Sequence, residues 1–235
     1  MLKPEYLEHV PDRMVELYSQ AELDILQNMA ERISKYDYFI PAAEWQAQKL
    51  NEMGMVYDDI LKGLSTLTGR SKDELKDLML EAGIKTLAVD DVRHKLAGHK
   101  VLPLQASPNL MQVINVNYQK TQKAFSNLAK TTARNGAKQF ADALDQVHMQ
   151  IISGAFDTEA AIRNALKSLS EKGVASVRYP SGRIDSIETS VRRATITGVN
   201  QSASKLQLAR AEDVGCNLVE TTAHAGARPE HAEWQ

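Results

Sequence analysis

The chain is predicted to be mainly α. The reading is a multi-helix N-terminal part with long helices, followed by a small α+β C-terminal part containing a hairpin or short sheet. Three observations predict this. Ala, Leu, Lys, Gln and Glu are plentiful, while aromatics make up only 6% of the residues, a mix that favours helix. Apolar residues recur at steps of three and four through most of the chain up to residue 173, the period of a helical face. From residue 174 the pattern turns to alternation around a Pro-Ser-Gly turn, a hairpin signal. The 235 residues suffice for one to two domains with a buried core.

The first helix is read over PDRMVELYSQAELDILQNMAERI. Met14, Tyr18, Ala21, Ile25, Met29 and Ile33 fall on one face, and Pro11 suits its first turn, where a missing N–H costs little. After a turn at KYDYFIP, Pro41 opens a second helix, PAAEWQAQKLNEM. Two shorter helices are expected in YDDILKGLSTLTGRSKDELKDLMLEAG. Ser71 and Glu74 have capping-box spacing, and Gly69 and Gly83 sit where helix ends favour a left-handed residue. HKLAGHKVLPLQASP, with Gly98, Pro103 and Pro108, is read as a linker.

Residues 109–134 are predicted as one long helix, with an apolar stripe at Met111, Ile114, Tyr118, Thr121, Phe125 and Leu128. Gly136 is expected to break it, so that AKQFADALDQVHMQIIS forms a separate helix. DTEAAIRNALKSLSEKG follows, capped by Asp157 or Thr158 and ended by Gly173. VASVRYPSGRID reads as the hairpin. SIETSVRRATITGVNQSASKLQLARAEDVG is a long helix in which Ala194, Gly198 and Ser202 leave room for another backbone. CNLVETTAHA reads as a strand. No internal repeat or low-complexity segment is seen. The organisation expected is an acidic helical region 1–100, a basic helical region 101–173 and a small α+β region 174–235.

No apolar run approaches the roughly 18 residues that span a bilayer, and acids occupy the N-terminus where a signal peptide needs an apolar core. No membrane partner is therefore expected. Cys216 is the single cysteine, so no disulfide forms within one chain; a reducing, cytosolic site of synthesis fits.

Charge is unevenly spread. Residues 1–91 hold 18 acids against 10 bases, a net of −8. Residues 92–141 contain no Asp or Glu and eight bases, a net of +8. Residues 142–235 are near balance at −2, so the chain's overall −2 hides a basic middle. Lys120, Lys123, Lys130 and Arg134 fall at helical spacing on a different stripe from the apolar one, and Lys138 follows them. Such a row can contact nucleic-acid phosphates without reading sequence, meet an acidic protein partner, or stand as a solvated face. Aromatics are few here, which argues against base stacking.

The C-terminal stretch TTAHAGARPEHAEWQ crowds His224 and His231 with Glu220, Glu230 and Glu233 nearby. Their spacing matches no zinc signature, and no cysteine lies beside them. No nucleophile elbow or phosphate-binding glycine loop occurs in the chain. No catalytic residue, metal site or cofactor is assigned, no enzyme is expected within these residues, and His9, His94, His99 and His148 receive no role.

ETTAHAGARPEHAEWQ closely resembles the signature of the phage minor capsid protein 2 family of tailed phages and prophages of Gram-positive bacteria. It is distantly similar to the Arg-x-x-His/Cys segment of MuF-type head-morphogenesis proteins, so region 174–235 is read as MuF-like. The opening MLKPEYLEHVPDRMVELYSQAELDIL, the helical order and VRYPSGRIDSIETSVRRA resemble the same family, so the likeness spans essentially the whole chain. The signature positions carried over are Thr222, His224, Gly226, Ala227, Arg228, Pro229, His231, Glu233, Trp234 and Gln235. They are read as structural, with Arg228 tying down carbonyls or a carboxylate and Trp234 packed under the strand.

The resemblance implies a structural virion protein near the portal vertex, acting in head assembly and morphogenesis. Its implied partners are the portal protein, the major capsid protein, further copies of itself and genomic DNA. An alternative is a DNA-binding protein packaged and ejected with the genome. The family pattern continues past Trp234–Gln235, so region 174–235 is read as truncated, and an enzymatic domain farther on is the third reading.

Overall fold

A computed structural model describes residues 2–216. The order is helix α1 (Pro4–His9), α2 (Asp12–Lys35), α3 (Ala42–Arg70), α4 (Lys72–Leu96), a 3-10 turn (Leu104–Ala106), α5 (Pro108–Ile152), α6 (Thr158–Lys172), strands β1 (Ala175–Arg178) and β2 (Ile184–Ser186), and α7 (Ile187–Asp213). The mainly α class with a small hairpin is the one the sequence predicts.

Helix α5 is the spine. Its 45 residues make a rod about 68 Å long, against which α3, α6, α7 and β1 all pack. Ser107 starts it, accepting a hydrogen bond from the Leu110 amide at 3.3 Å. The predicted break at Gly136 does not occur. That glycine is a packing position: a Cβ there would lie 2.7 Å from Ile60 Cδ1 and 3.1 Å from Met29 Cε. The two helices read around it are one, because continuous burial from Leu110 to Val147 on one side fixes the chain against its neighbours.

The predicted face of α2 is found in the core: Met14, Tyr18, Ile25, Met29 and Ile33 are buried. They join Trp45, Val56, Ile60 and Leu64 of α3 and Phe125, Ala133, Phe140, Leu144 and Val147 of α5. Tyr18 also bonds Thr68 of α3 through its hydroxyl at 2.8 Å. Burial of this kind contributes on the order of 1.5–3 kcal/mol per large side chain and dominates the fold.

Helix α3 runs unbroken from Ala42 through the expected two-helix division to Arg70, and α4 continues past Gly83 to Leu96. Gly83 is thus not a helix end, whereas α3 does end one residue after Gly69, at Arg70, without the left-handed residue expected there. Gly83 instead lets Leu104 and Leu206 approach, each 2.9 Å from where a Cβ would be. The Ser71–Glu74 capping box is not made either. Ser71 Oγ donates to the Thr68 carbonyl at 3.4 Å, and Glu74 accepts from Arg13 at 2.7 Å. With only Ser71 between α3 and α4, the serine has helix-like torsions (φ −82°, ψ 8°) and cannot turn its side chain onto the next amides. The linker expected at residues 94–108 shrinks to the stretch between Leu96 and Pro108.

The hairpin forms as predicted. Ala175 pairs with Ser186, Val177 with Asp185 and Arg178 with Ile184, antiparallel, with a bulge after Ala175. Gly182 sits at φ +84°, its amide donating to the Tyr179 carbonyl at 2.9 Å. Side chains of other elements anchor the start of β1. Gln139 of α5 donates to the Gly173 carbonyl at 2.7 Å and accepts from the Ala175 amide at 3.1 Å. Glu22 of α2 accepts from the Val174 amide at 2.7 Å. One apolar cluster runs across residue 173, since Val174, Ile187 and Val191 pack with α2, α5 and α6.

Two smaller clusters close the other end. Leu2 and Val10 pack with Leu78 and Ala82 of α4 and Val199 and Ala203 of α7. Leu87, Leu104, Leu110, Ile114 and Leu206 form the second. Beside them Arg210, 1% exposed, donates to the Leu102 carbonyl at 2.8 Å and to Asp91 Oδ2 at 3.3 Å. Its Nε lies 2.7 Å from Asp91 Oδ1 without an aligned hydrogen bond. The predicted small-residue face of α7 is used by α5: a Cβ on Gly198 would collide with the Thr121 side chain.

Candidate functional site

Lys120, Lys123, Lys130, Arg134 and Lys138 all lie on α5 and are exposed. At 100° per residue they fall within about 80° of the helix circumference, opposite the buried side. From Lys120 to Lys138 the row is about 27 Å long. Lys120, Lys123, Lys130 and Arg134 have no carboxylate within ion-pair distance among the described residues; Lys138 pairs with Asp142 at 3.7 Å. The acidic N-terminal helices do not neutralise this row within the chain. Their carboxylates turn to other cations: Arg32 binds Glu52 at 2.6 Å and Asp59 at 2.9 Å, and Arg13 binds Glu74.

An open groove of about 390 Å³ runs beside the row, between α5 and α7. Lys120, Asn127, Thr131, Arg193, Thr197 and Gln201 are among its walls, and no Asp or Glu lines it. Lys205 extends the positive charge from α7. Its ammonium donates to the buried Asn117 Oδ1 at 3.1 Å, which holds it beside Lys120. The Lys120 charge is the main reason that the Lys205 ammonium is pushed below the usual lysine range, with burial second.

At the hairpin end Asp185 gathers three donors: Tyr179 Oη at 2.9 Å, Arg183 Nε at 3.1 Å and Arg193 Nη1 at 2.6 Å. Its side chain is 2% exposed. Burial pushes this carboxyl up, but the Tyr179 and Arg193 bonds and the two guanidinium charges outweigh it and hold the group below the usual carboxylate range. This network locks the hairpin to α7 and ties Arg193 to a structural task.

Sequence reasoning located the five cations of α5 and missed Lys205, Asn117 and the Asp185 network. Arg183 and Asp185, two apart where the turn enters β2, offer a local signal as a pair. The contacts of Lys205 and Arg193 across elements have no spacing signal. Among the described residues no group of three or more His, Cys, Asp or Glu is placed to hold a metal ion. The His94 and His99 rings meet edge to face, with centroids 5.9 Å apart.

The model of one protein family, phage minor capsid protein 2, matches residues 2–235. The chain belongs to the phage minor capsid protein 2 family. Neither the comparison with curated proteins nor that with solved structures finds a match. This minor capsid protein therefore has a structural role in a phage, and its place is the virion. No described helix is long and apolar enough to cross a membrane. The signature positions Thr222, His224, Gly226, Ala227, Arg228, Pro229, His231, Glu233, Trp234 and Gln235 lie outside the described residues, as does most of the strand read at 216–225.

Proposed function

We propose that this minor capsid protein is a component of the portal vertex that acts in head assembly by binding the portal protein and neighbouring copies of itself. The observation that carries the reading is the family match over residues 2–235. The shape of the surface supports it. An open groove of about 1120 Å³ between α2 and α3 is walled by Leu17, Leu23 and Leu67 together with Glu16, Asp24 and Asp59. Leu23 is 60% exposed. An apolar strip rimmed by charge is the kind of surface that assembly covers. Copies set around a symmetric vertex repeat each patch into a ring, so modest contacts act together.

Quantitative mass spectrometry of purified particles, with chemical cross-linking, tests this. A copy number matching the portal ring and cross-links from α2 or α3 to the portal protein are expected. A copy number near that of the major capsid protein, or absence from mature particles, would refute a vertex position.

A further inference from the structure

We infer that the exposed face of α5, bearing Lys120, Lys123, Lys130 and Arg134 and extended by Lys205 of α7, is a sequence-independent contact for the phosphate backbone of duplex DNA. The inference goes beyond the portal reading and does not depend on it.

Three observations point to an anionic rod and not to a protein face. First, four of the cations on α5, from Lys120 to Arg134, have no ion-pair partner among the described residues and stand in a straight row of about 21 Å, which spans the rise of about six base pairs. Second, the row is polar throughout. Between Gln119 and Ala141 α5 exposes no large apolar side chain among the described residues, and Asn127 and Thr131 complete its edge. Protein interfaces have an apolar or aromatic centre with charge at the rim, whereas phosphate contacts are made by Lys and Arg with amide and hydroxyl donors. Third, Lys120 and Lys205 crowd two like charges at the mouth of a groove that has no acid in its walls. A phosphate between them would relieve that repulsion.

The absence of aromatic side chains from this face favours a duplex over a single strand, whose bases need stacking partners. The contact is therefore electrostatic. Four phosphates neutralised would give a dependence of log affinity on log salt with slope about −3.6. Affinity then falls about 10²-fold between about 50 and 200 mM salt.

The test is fluorescence anisotropy of a labelled random-sequence duplex of about 25 base pairs, titrated with the whole protein across that salt range. A variant with Lys120→Gln, Lys123→Gln, Lys130→Gln and Arg134→Gln is compared with a control, Lys62→Gln, Lys72→Gln, Lys76→Gln and Arg163→Gln. The control makes the same charge change at exposed residues elsewhere. The α5 variant is expected to lose most affinity and to flatten the slope by about 0.9 per residue removed; the control is expected to keep its slope.

No binding by the unaltered protein at low salt overturns the inference. So does an equal loss in the control, which would mean a general field effect. Loss of incorporation into particles by the α5 variant, without duplex binding by the parent, would assign the face to an acidic protein instead. The portal reading fails separately, through copy number and cross-links.

Discussion

Replacing Gly198 with alanine measures how closely α5 and α7 approach. In an ordinary exposed helix position the change would stabilise by about 1 kcal/mol, because glycine loses more backbone freedom on folding. Here the new Cβ would overlap Thr121 Oγ1 and lie 2.8 Å from its Cγ2 and 3.2 Å from its Cβ. Thr121 is 5% exposed and its hydroxyl donates to the Asn117 carbonyl at 2.9 Å. A β-branched side chain in a helix has little rotamer freedom, so relief requires breaking that bond or separating the helices. Overpacking typically costs about 1–3 kcal/mol, and a collision with the root of a side chain belongs at the upper end. The net expectation is a loss of about 1–2 kcal/mol, seen as a fall in melting temperature of about 2–8 °C. Thr121→Ala removes the two nearest atoms and leaves only the Cβ contact. In that background Gly198→Ala should be neutral or stabilising, giving a coupling of about 1–3 kcal/mol in a double-mutant cycle. Gly136→Ala should cost less, because its nearest neighbours are the flexible ends of Ile60 and Met29. A rise in melting temperature for Gly198→Ala alone, or additivity with Thr121→Ala, would refute the reasoning.

Arg210→Ala should cost about 3 kcal/mol, since it strands Asp91 and the Leu102 carbonyl at a site where the arginine is 1% and Asp91 20% exposed. Asp91→Leu with Arg210→Met should recover most of that loss in urea unfolding; failure of the pair to exceed Arg210→Ala would show that the charges are needed. Burial, reinforced by Glu188, pushes the Glu22 carboxyl above its usual value against the lowering effect of the Val174 amide. The folded state therefore holds this proton to higher pH than the unfolded chain, and stability falls as pH rises from about 4.5 through the raised value. Glu22→Gln keeps an acceptor for the Val174 amide without the charge. It should match the parent at acid pH and equal or exceed it near neutrality, and a variant weaker by the same margin at both pH values would contradict this.

The elements that were legible in the sequence are those fixed by local pattern. The face of α2, the Asp157 cap with its bond to the Ala160 amide at 2.7 Å, the Gly173 stop at φ +61° and the hairpin turn at Gly182 each depend on a few adjacent residues. Gly83 and Gly136, read as helix stops, are packing positions, because the two uses of glycine look alike in one dimension, whereas Gly198 is read as a close approach and is one. Gly173 supplies a left-handed backbone, whereas Gly83, Gly136 and Gly198 supply absence of a side chain to a partner far along the chain. The Ser71–Glu74 spacing was that of a cap, but the single-residue turn between α3 and α4 withheld the geometry. The row of cations on α5 was legible for the same reason as the face of α2, since one helix carries all of it. Lys205 was not, because its place beside Lys120 follows from the close crossing of α5 and α7 at Gly198.

The cation row is a cost to the fold, and that makes it testable by stability. Other exposed helices carry opposite charges one turn apart: Glu31 with Lys35, Glu81 with Lys85, Glu159 with Arg163 and Lys167 with Glu171. On α5 the spacing places like charges together, as Lys130 with Arg134 and Arg134 with Lys138. Each such pair destabilises a helix by about 0.2–0.5 kcal/mol. Arg134→Glu converts both to attractive pairs, so it should stabilise by about 1 kcal/mol and raise the melting temperature by about 2–4 °C. The same substitution places a carboxylate in the middle of the row and should weaken duplex binding more than Arg134→Gln does. Calorimetry and anisotropy on one variant thus give opposite signs if the row is kept for a ligand. A loss of stability would mean that Arg134 serves the fold, and unchanged duplex binding would mean that the row does not hold phosphate.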